Sequence, residues 1–258
     1  MSDHPSHELY MFRKSHFNEK ARWTLDLKAL PHRRIPLLPG PHASTVKRLT
    51  GQTSVPVLVI DGQAFHDSSR IIDELERRHP EPALYPAAAE DRARALEIQS
   101  HFDEEVGPKI RRAFFSILIN EPRYLSAIFA GHRSAPVRAL YGAMLPLVRT
   151  KMVREMEVHE PRIAEAYEAT GRAFEFVAEH SAATGYLVGD RFTVADLTAA
   201  ALLAPAVDIP HPDMFKPEPR PVAIERWLAR WAELPGAEWV RTMYRRHRPA
   251  ASSASAMA

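Results

Sequence analysis

The chain has 258 residues, of which 45% are hydrophobic and 26% charged, with a formal net charge of +2. That composition supports buried cores in one or two domains and excludes a disordered or collagen-like chain. The near-neutral balance and scattered Lys and Arg leave no footprint for a nucleic acid, and the absence of cysteine excludes disulfides, thiolate metal sites and a protein thiol nucleophile.

Met1 to His7 is polar and has no apolar signal core. The longest apolar run, Ala199 to Val207, is too short to cross a bilayer and contains Pro205. No membrane partner is expected, and the cytoplasm is the expected location. The 13 histidines show no metal-ligand spacing, so no metal is expected.

In chain order, residues 8–13 read as a first strand, followed by Ser15 as a cap for a helix over 16–30. Phe17, Ala21, Leu25 and Lys28 form one stripe of that helix, with Trp23, Leu27 and Leu30 beside it, and Pro31 stops it. Ile35 to Leu38 is a short strand and Ala43 to Leu49 a weak helix. Pro56 heads the β-branched run Val57 to Ile60, Asp61-Gly62 is a strong hairpin signal, and Asp67-Ser68 opens a helix carrying Ile71, Ile72 and Leu75. The resulting order is βαβαββα.

Pro80, Pro82 and Pro86 punctuate a linker, after which strand signals nearly vanish. Helical patterns run over 90–120, with a kink expected at Gly107-Pro108, and then over 121–131, 135–158, 161–179, 222–233 and 237–246. Thr193 and Asp196 form a capping box closed by Phe192 and Leu197, so Asp196 is expected to serve the fold rather than chemistry.

Val55-Pro56, Asp67-Ser68, the turn Ser15-His16-Phe17-Asn18-Glu19-Lys20-Ala21-Arg22-Trp23 and the segment Gly185 to Leu197 together resemble the soluble glutathione transferases over roughly residues 8–245. The resemblance implies an α/β plus all-α fold. A thioredoxin-like domain would span 7–79 and an all-helical domain 88–247, with an insertion at 121–150 and a disordered tail at 248–258. It also implies a cis proline at Pro56 and a homodimer.

For function, the resemblance implies conjugation of the glutathione thiolate to a small hydrophobic electrophile, with glutathione as co-substrate and no metal. Ser15 occupies the position of the catalytic serine or cysteine of the family. Relatives with this motif often carry Cys where this chain has Asn18, whose amide is a second candidate donor to the thiolate. Tyr10 competes with them, but the alignment places Met11 at the catalytic-tyrosine position, and alternation turns Tyr10 the other way. A helix N-terminus suits a ligand carboxylate, so Asp67 and Ser68 are implied at the γ-glutamyl end of glutathione. Val55 is implied at its cysteinyl backbone, and Gln52 and Lys47 at its glycine carboxylate. Arg111, Phe114 and Phe115 are expected to face the second substrate. A non-catalytic binding protein and a glutathione-dependent isomerase, dehalogenase or peroxidase are the alternatives. Without cysteine, thioltransferase activity is expected to be negligible.

Overall fold

Alternating burial along β1 (His7–Met11) places Leu9 and Met11 in the core and turns Tyr10 outward, where its hydroxyl donates to Glu8. The computed structural model describes residues 7–250. β1 pairs in parallel with β2 (His32–Pro36) across the crossover helix α1 (His16–Leu27). β3 (Val57–Ile60) is antiparallel to β1, and β4 (Gln63–His66) to β3, giving the sheet order β2-β1-β3-β4. With α2 (His42–Thr50) and α3 (Ser68–Arg78), the order is βαβαββα, as expected.

β2 begins three residues earlier than its apolar content suggests, because pairing with β1 from His7↔His32 to Met11↔Pro36 sets its extent. Asp61 and Gly62 both have positive φ, 50° and 81°, as the two-residue hairpin turn requires. The Val55-Pro56 peptide is cis.

The helical half contains α4 (Ala89–His101), α5 (Gly107–Leu118), α6 (Pro122–Ala130), α7 (Ala135–Glu155) and α8 (Arg162–Ser181). It is completed by α9 (Val194–Leu203), α10 (Val222–Trp231) and α11 (Pro235–His247). The kink expected at Gly107-Pro108 appears as a π-helical turn, Phe102–Val106, joining α4 to α5. A Cβ on Gly107 would lie 2.7 Å from the Phe17 ring, so glycine is needed where α1 and α5 meet. Every residue of α9 is buried. Its capping box is complete: Asp196 accepts from the Thr193 and Leu187 N–H groups at 2.9 and 2.8 Å. Burial pushes Asp196 up to about 6 against those bonds. Among the described residues no helix is long and apolar enough to cross a membrane.

α1 is the joint between the halves. Ala21 and Leu25 pack with Leu9, Leu58 and Ile71 in the sheet core, while Trp23 joins the helical core. Trp23 donates to the His247 carbonyl at 2.9 Å and stacks on Phe192. Its polar residues are buried too, in an ion-pair network of three acids and three arginines. Arg248 donates to Glu19, Asp26 and Asp213 at 2.8, 2.8 and 2.7 Å. Arg22 grips Glu19 at 2.8 Å, and Arg34 grips Asp213 at 2.9 Å as well as Asp26. Arg248 therefore does not belong to a disordered tail beginning at 248: its side chain is fully buried by these bonds. The rest of that expectation, from 251 onward, lies outside the described residues.

Burial pushes the Asp213 carboxyl up, but Arg22, Arg34 and Arg248 together outweigh it and hold it below the ordinary carboxylate range. A depressed folded pKa gives stability that is present above the unfolded value of about 3.9 and lost as pH falls below it. Asp213→Asn is accordingly expected to cost about 3 kcal/mol at pH 7 by stranding buried guanidinium charge. The variant should also show a shallower loss of melting temperature below about pH 4. Thermal melts of both proteins from pH 3 to pH 8 check this, and parallel curves would refute it.

Candidate functional site

A cleft of ≈ 260 Å³ opens where the first turn of α1 faces the helical half. One wall is Phe12, Lys14, Ser15, His16 and Phe17, continued by Thr53, Ser54 and Val55. The opposite wall is α5, through Arg111, Phe114, Phe115 and Leu118. Residues 121–150, expected as an insertion, form α6 and much of α7 and supply Ile128, Phe129 and Val148. Met214, Phe215 and Lys216 close one side.

Ser15 is the N-cap residue of α1, extended at φ −84° and ψ 130°, and its side chain makes no capping bond. The hydroxyl and the first-turn N–H groups thus remain available on the cleft side, in the partial positive field of the helix end. Arg22 steadies this loop by donating to the carbonyls of Phe12 at 3.1 Å and Ser15 at 3.3 Å. The next residue, His16, sits against the Gly107 carbonyl, 3.0 Å from Nε2. Because a carbonyl only accepts, Nε2 carries the proton. Burial, reinforced by the Arg111 charge, lowers His16 to about 3, so the ring is neutral.

Five of the ten expected site residues line the cleft: Ser15, Val55, Arg111, Phe114 and Phe115. Asn18 does not. It is fully buried one turn into α1, and its Oδ1 accepts from the Phe12 N–H at 3.3 Å, so it braces the loop behind Ser15. Gln52 is bonded within its own loop, to Thr50 at 2.9 Å and to the Ser54 backbone. Lys47 is exposed in the last turn of α2 and is not a cleft residue.

Asp67 and Ser68 lie at the start of α3, beyond the residues that line the cleft. Asp67 Oδ1 accepts from Ser69 N at 2.9 Å and Arg70 N at 3.3 Å. Ser68 is buried at the first helical position, and its N–H makes no hydrogen bond among the described residues. Asp67 holds φ 74°, ψ 127°, a conformation natural to glycine. Beneath this turn, Ser69 Oγ is bonded to Lys20, Asp103 and Gln99. Lys20, itself fully buried, holds Asp103 of the π-helical turn at 2.5 Å. That network ties α1, α3 and α4–α5 together at one point.

Val55, immediately before the cis proline, makes no backbone hydrogen bond among the described residues through either its N–H or its C=O. It therefore offers a free backbone donor and acceptor, just before β3, to an extended peptide. Sequence reasoning missed His16, Phe17 and Lys14, which flank Ser15 directly, and Lys216, which reaches the cleft from a loop without a motif. It also missed that folding brings Glu19, His211 and Asp213 within 4.8 Å. Both carboxylates there are already held by guanidinium groups, which a cation would have to displace.

Two family models match the chain: "Glutathione S-transferase, N-terminal domain" over residues 9–83 and "Glutathione S-transferase, C-terminal domain" over 139–235. The chain belongs to the glutathione S-transferase family. Among curated relatives, a maleylpyruvate isomerase from a Ralstonia species is 30% identical over 114 residues, covering 43% of this chain and 54% of the relative. A probable maleylacetoacetate isomerase from Caenorhabditis elegans is 33% identical over 92 residues, covering 35% and 43%. The chain therefore matches about half the length of these curated relatives.

Solved structures share the fold across nearly the whole chain. A glutathione S-transferase from Rhodospirillum rubrum F11 superposes with TM-score 0.62 at 21% identity, covering 93% of this chain and 88% of the other. The beta-etherase LigF from Sphingobium sp. strain SYK-6 gives 0.61 at 21% identity, covering 91% and 98%.

The Asp67 backbone carries a testable signature. Strain of this kind costs about 1–3 kcal/mol and tends to persist at functional positions, whereas glycine at an N-cap sacrifices only a few tenths. Asp67→Gly is therefore expected to raise the melting temperature by about 2–4 °C. A calorimetric scan showing a fall instead would mean that the carboxylate cap outweighs the strain.

Proposed function

We propose that this protein binds glutathione along Val55 and the start of α3, activates its thiol at the N-terminus of α1, and delivers the thiolate to a small electrophile in the cleft. The observation that carries this reading is the Ser15 hydroxyl, free of any capping bond at a helix N-terminus inside the cleft. A thiol has an ordinary pKa of about 8.5, and only the thiolate is the nucleophile. A donated hydrogen bond and the helix-end field both favour the charged form. Ser15 supplies the first and α1 the second.

The peptide half of the site suits glutathione on grounds of this chain's own geometry. Val55 offers an unpaired N–H and C=O to the cysteinyl unit. Ser68 offers a free N–H and a hydroxyl to the γ-glutamyl carboxylate, and the Asp67 carboxylate suits the neighbouring ammonium. Solved structures that share the fold include one from Methylobacillus flagellatus KT with glutathione bound. Gln52 and Lys47 remain proposals for the glycine end that would require rearrangement of the Gln52 loop. We carry over the homodimer of the family and place the protein in the cytoplasm, where thiols stay reduced.

Conjugation is the first reading. The second is isomerisation, favoured by the names of the two curated relatives. There the thiolate adds to an activated double bond, the adduct rotates about the bond that has become single, and expulsion of the thiolate restores the alkene and regenerates glutathione. Glutathione accounting separates the readings. Loss of one equivalent per turnover of an aryl halide indicates a transferase. Conversion of maleylpyruvate with glutathione unconsumed indicates an isomerase. Retention on immobilised glutathione with neither activity indicates a binding protein.

Either reaction depends on Ser15. A hydrogen bond to a charged group is worth about 1.5–3 kcal/mol, so Ser15→Ala is expected to lower turnover about 10- to 100-fold. Glutathione affinity should stay nearly unchanged, and the ultraviolet absorbance of the bound thiolate should titrate at higher pH. Asn18→Ala, acting only behind the loop, should cost less. Identical thiolate titrations in the parent protein and Ser15→Ala would transfer activation to the helix end alone.

A further inference from the structure

The cations around the cleft are not equivalent. Lys14 donates to the Pro212 carbonyl at 2.7 Å and lies over the Phe215 ring at 3.7 Å. Lys216 is fully enclosed and donates to the carbonyls of Ala204 at 3.1 Å and Val207 at 2.6 Å. Lys151 is ion-paired with Glu155 at 3.4 Å. Each is already committed to a protein acceptor.

Arg111 is not. None of its guanidinium N–H groups makes a hydrogen bond or ion pair among the described residues, and its Nε is buried without a partner. Its immediate neighbour shows the contrast. Arg112 donates to the Met156 carbonyl at 2.8 Å and to Glu157 at 2.7 Å. Among the described residues Arg111 has the face of Phe17, 5.8 Å from its ring centre, and a through-space attraction to Glu155 without a hydrogen bond. Glu155, the one acid lining the cleft, is engaged with Lys151. A guanidinium with unsatisfied donors, half withdrawn from water, is costly unless a ligand completes it.

The surroundings define that ligand. The planar fork of an arginine matches a carboxylate through two parallel hydrogen bonds. One turn further along α5 stand Phe114 and Phe115, and Phe115 stacks with Phe129 at 6.3 Å. These faces suit a flat apolar body. We propose that the electrophile accepted here is a carboxylate-bearing planar molecule, its carboxylate held by Arg111 and its body lying on Phe114 and Phe115. This rests on the reading of the cleft as the place where the glutathione thiolate meets its electrophile. It adds an anionic group to the small hydrophobic electrophile expected from sequence, and it makes Arg111 a specificity-determining residue.

The test uses a matched pair of aryl halides, 4-chloro-3-nitrobenzoate and 4-chloro-3-nitrobenzamide, with the corresponding S-aryl glutathione conjugates as binding probes. In both reactions the sulfur–carbon bond forms and chloride leaves, so only the remote carboxylate differs. The full-length protein is expected to prefer the benzoate in kcat/KM, after correction for the uncatalysed rates. Arg111→Gln should reduce kcat/KM for the benzoate about 10- to 100-fold more than for the amide, the loss typical of one charge-assisted hydrogen-bonded pair. Arg111→Lys should recover part of the difference. Calorimetry should show the same contrast between the two conjugates, which keeps the test informative if turnover is slow. Equal losses on both substrates, or a loss confined to glutathione affinity, would overturn the assignment and leave the glutathione site standing. Failure of the parent protein to bind glutathione or either conjugate would overturn both.

Discussion

The position of Ser15 depends on a charge pair set in dry surroundings. Arg22 is fully buried, and it spends its guanidinium on Glu19 and on the carbonyls of Phe12 and Ser15. Glu19 also receives Arg248, which in turn reaches Asp26 and Asp213. Charges stripped of water are tolerable only when each is matched and its hydrogen-bonding capacity largely filled. This matching fixes the loop between β1 and α1 more tightly than apolar packing would, because side-chain oxygens and carbonyls specify direction as well as proximity. The N-terminal end of α1 is thereby held at one place, with its free donors directed at the cleft.

A second network acts on the same helix from the other side. Lys20 donates to Asp103 and to Ser69, which also accepts from Gln99, so α1 is clamped to the start of α3 and to the π-helical turn. The proposed thiol-facing and γ-glutamyl ends of the site are therefore braced by residues one apart, Glu19 and Lys20. Neither bracing residue lines the cleft. The neutral His16, pinned to Gly107, adds a third tie between the first turn of α1 and α5.

Much of the fold was legible in the sequence because local signals agreed with one another. Val57 to Ile60, Asp61-Gly62 and the Asp67 cap each specify their own backbone, and the structure realises all three. The Thr193–Asp196 box was equally local. What sequence could not show was long-range. Glu19, Lys20, Arg22 and Asp26 look like the solvated face of an amphipathic helix, yet all are buried, since their partners come from β2, from α3 and the π-helical turn, from the Asp213 loop and from position 248. The same applied to the cleft. Ser15 and Val55 announce themselves through neighbours in sequence, whereas the isolation of Arg111 is visible only once every other acceptor has been located. Asn18, close to Ser15 in sequence, is buried behind the loop, a placement that depends on the Phe12 backbone and is not legible in the motif.

Arg248 lies 229 residues after Glu19 and 222 after Asp26. During synthesis the sheet and α1 emerge long before the second guanidinium that their buried acids share. Until it arrives, Glu19 and Asp26 have Arg22 and Arg34 beside them but lack the further guanidinium that fills their remaining acceptor positions in the native network. The two halves are thus distinct in architecture yet not autonomous in charge. The ion-pair network of the amino-terminal half is completed by a side chain made 222 residues after Asp26, so assembly of the loop that carries Ser15 is coupled to arrival of the segment that follows α11.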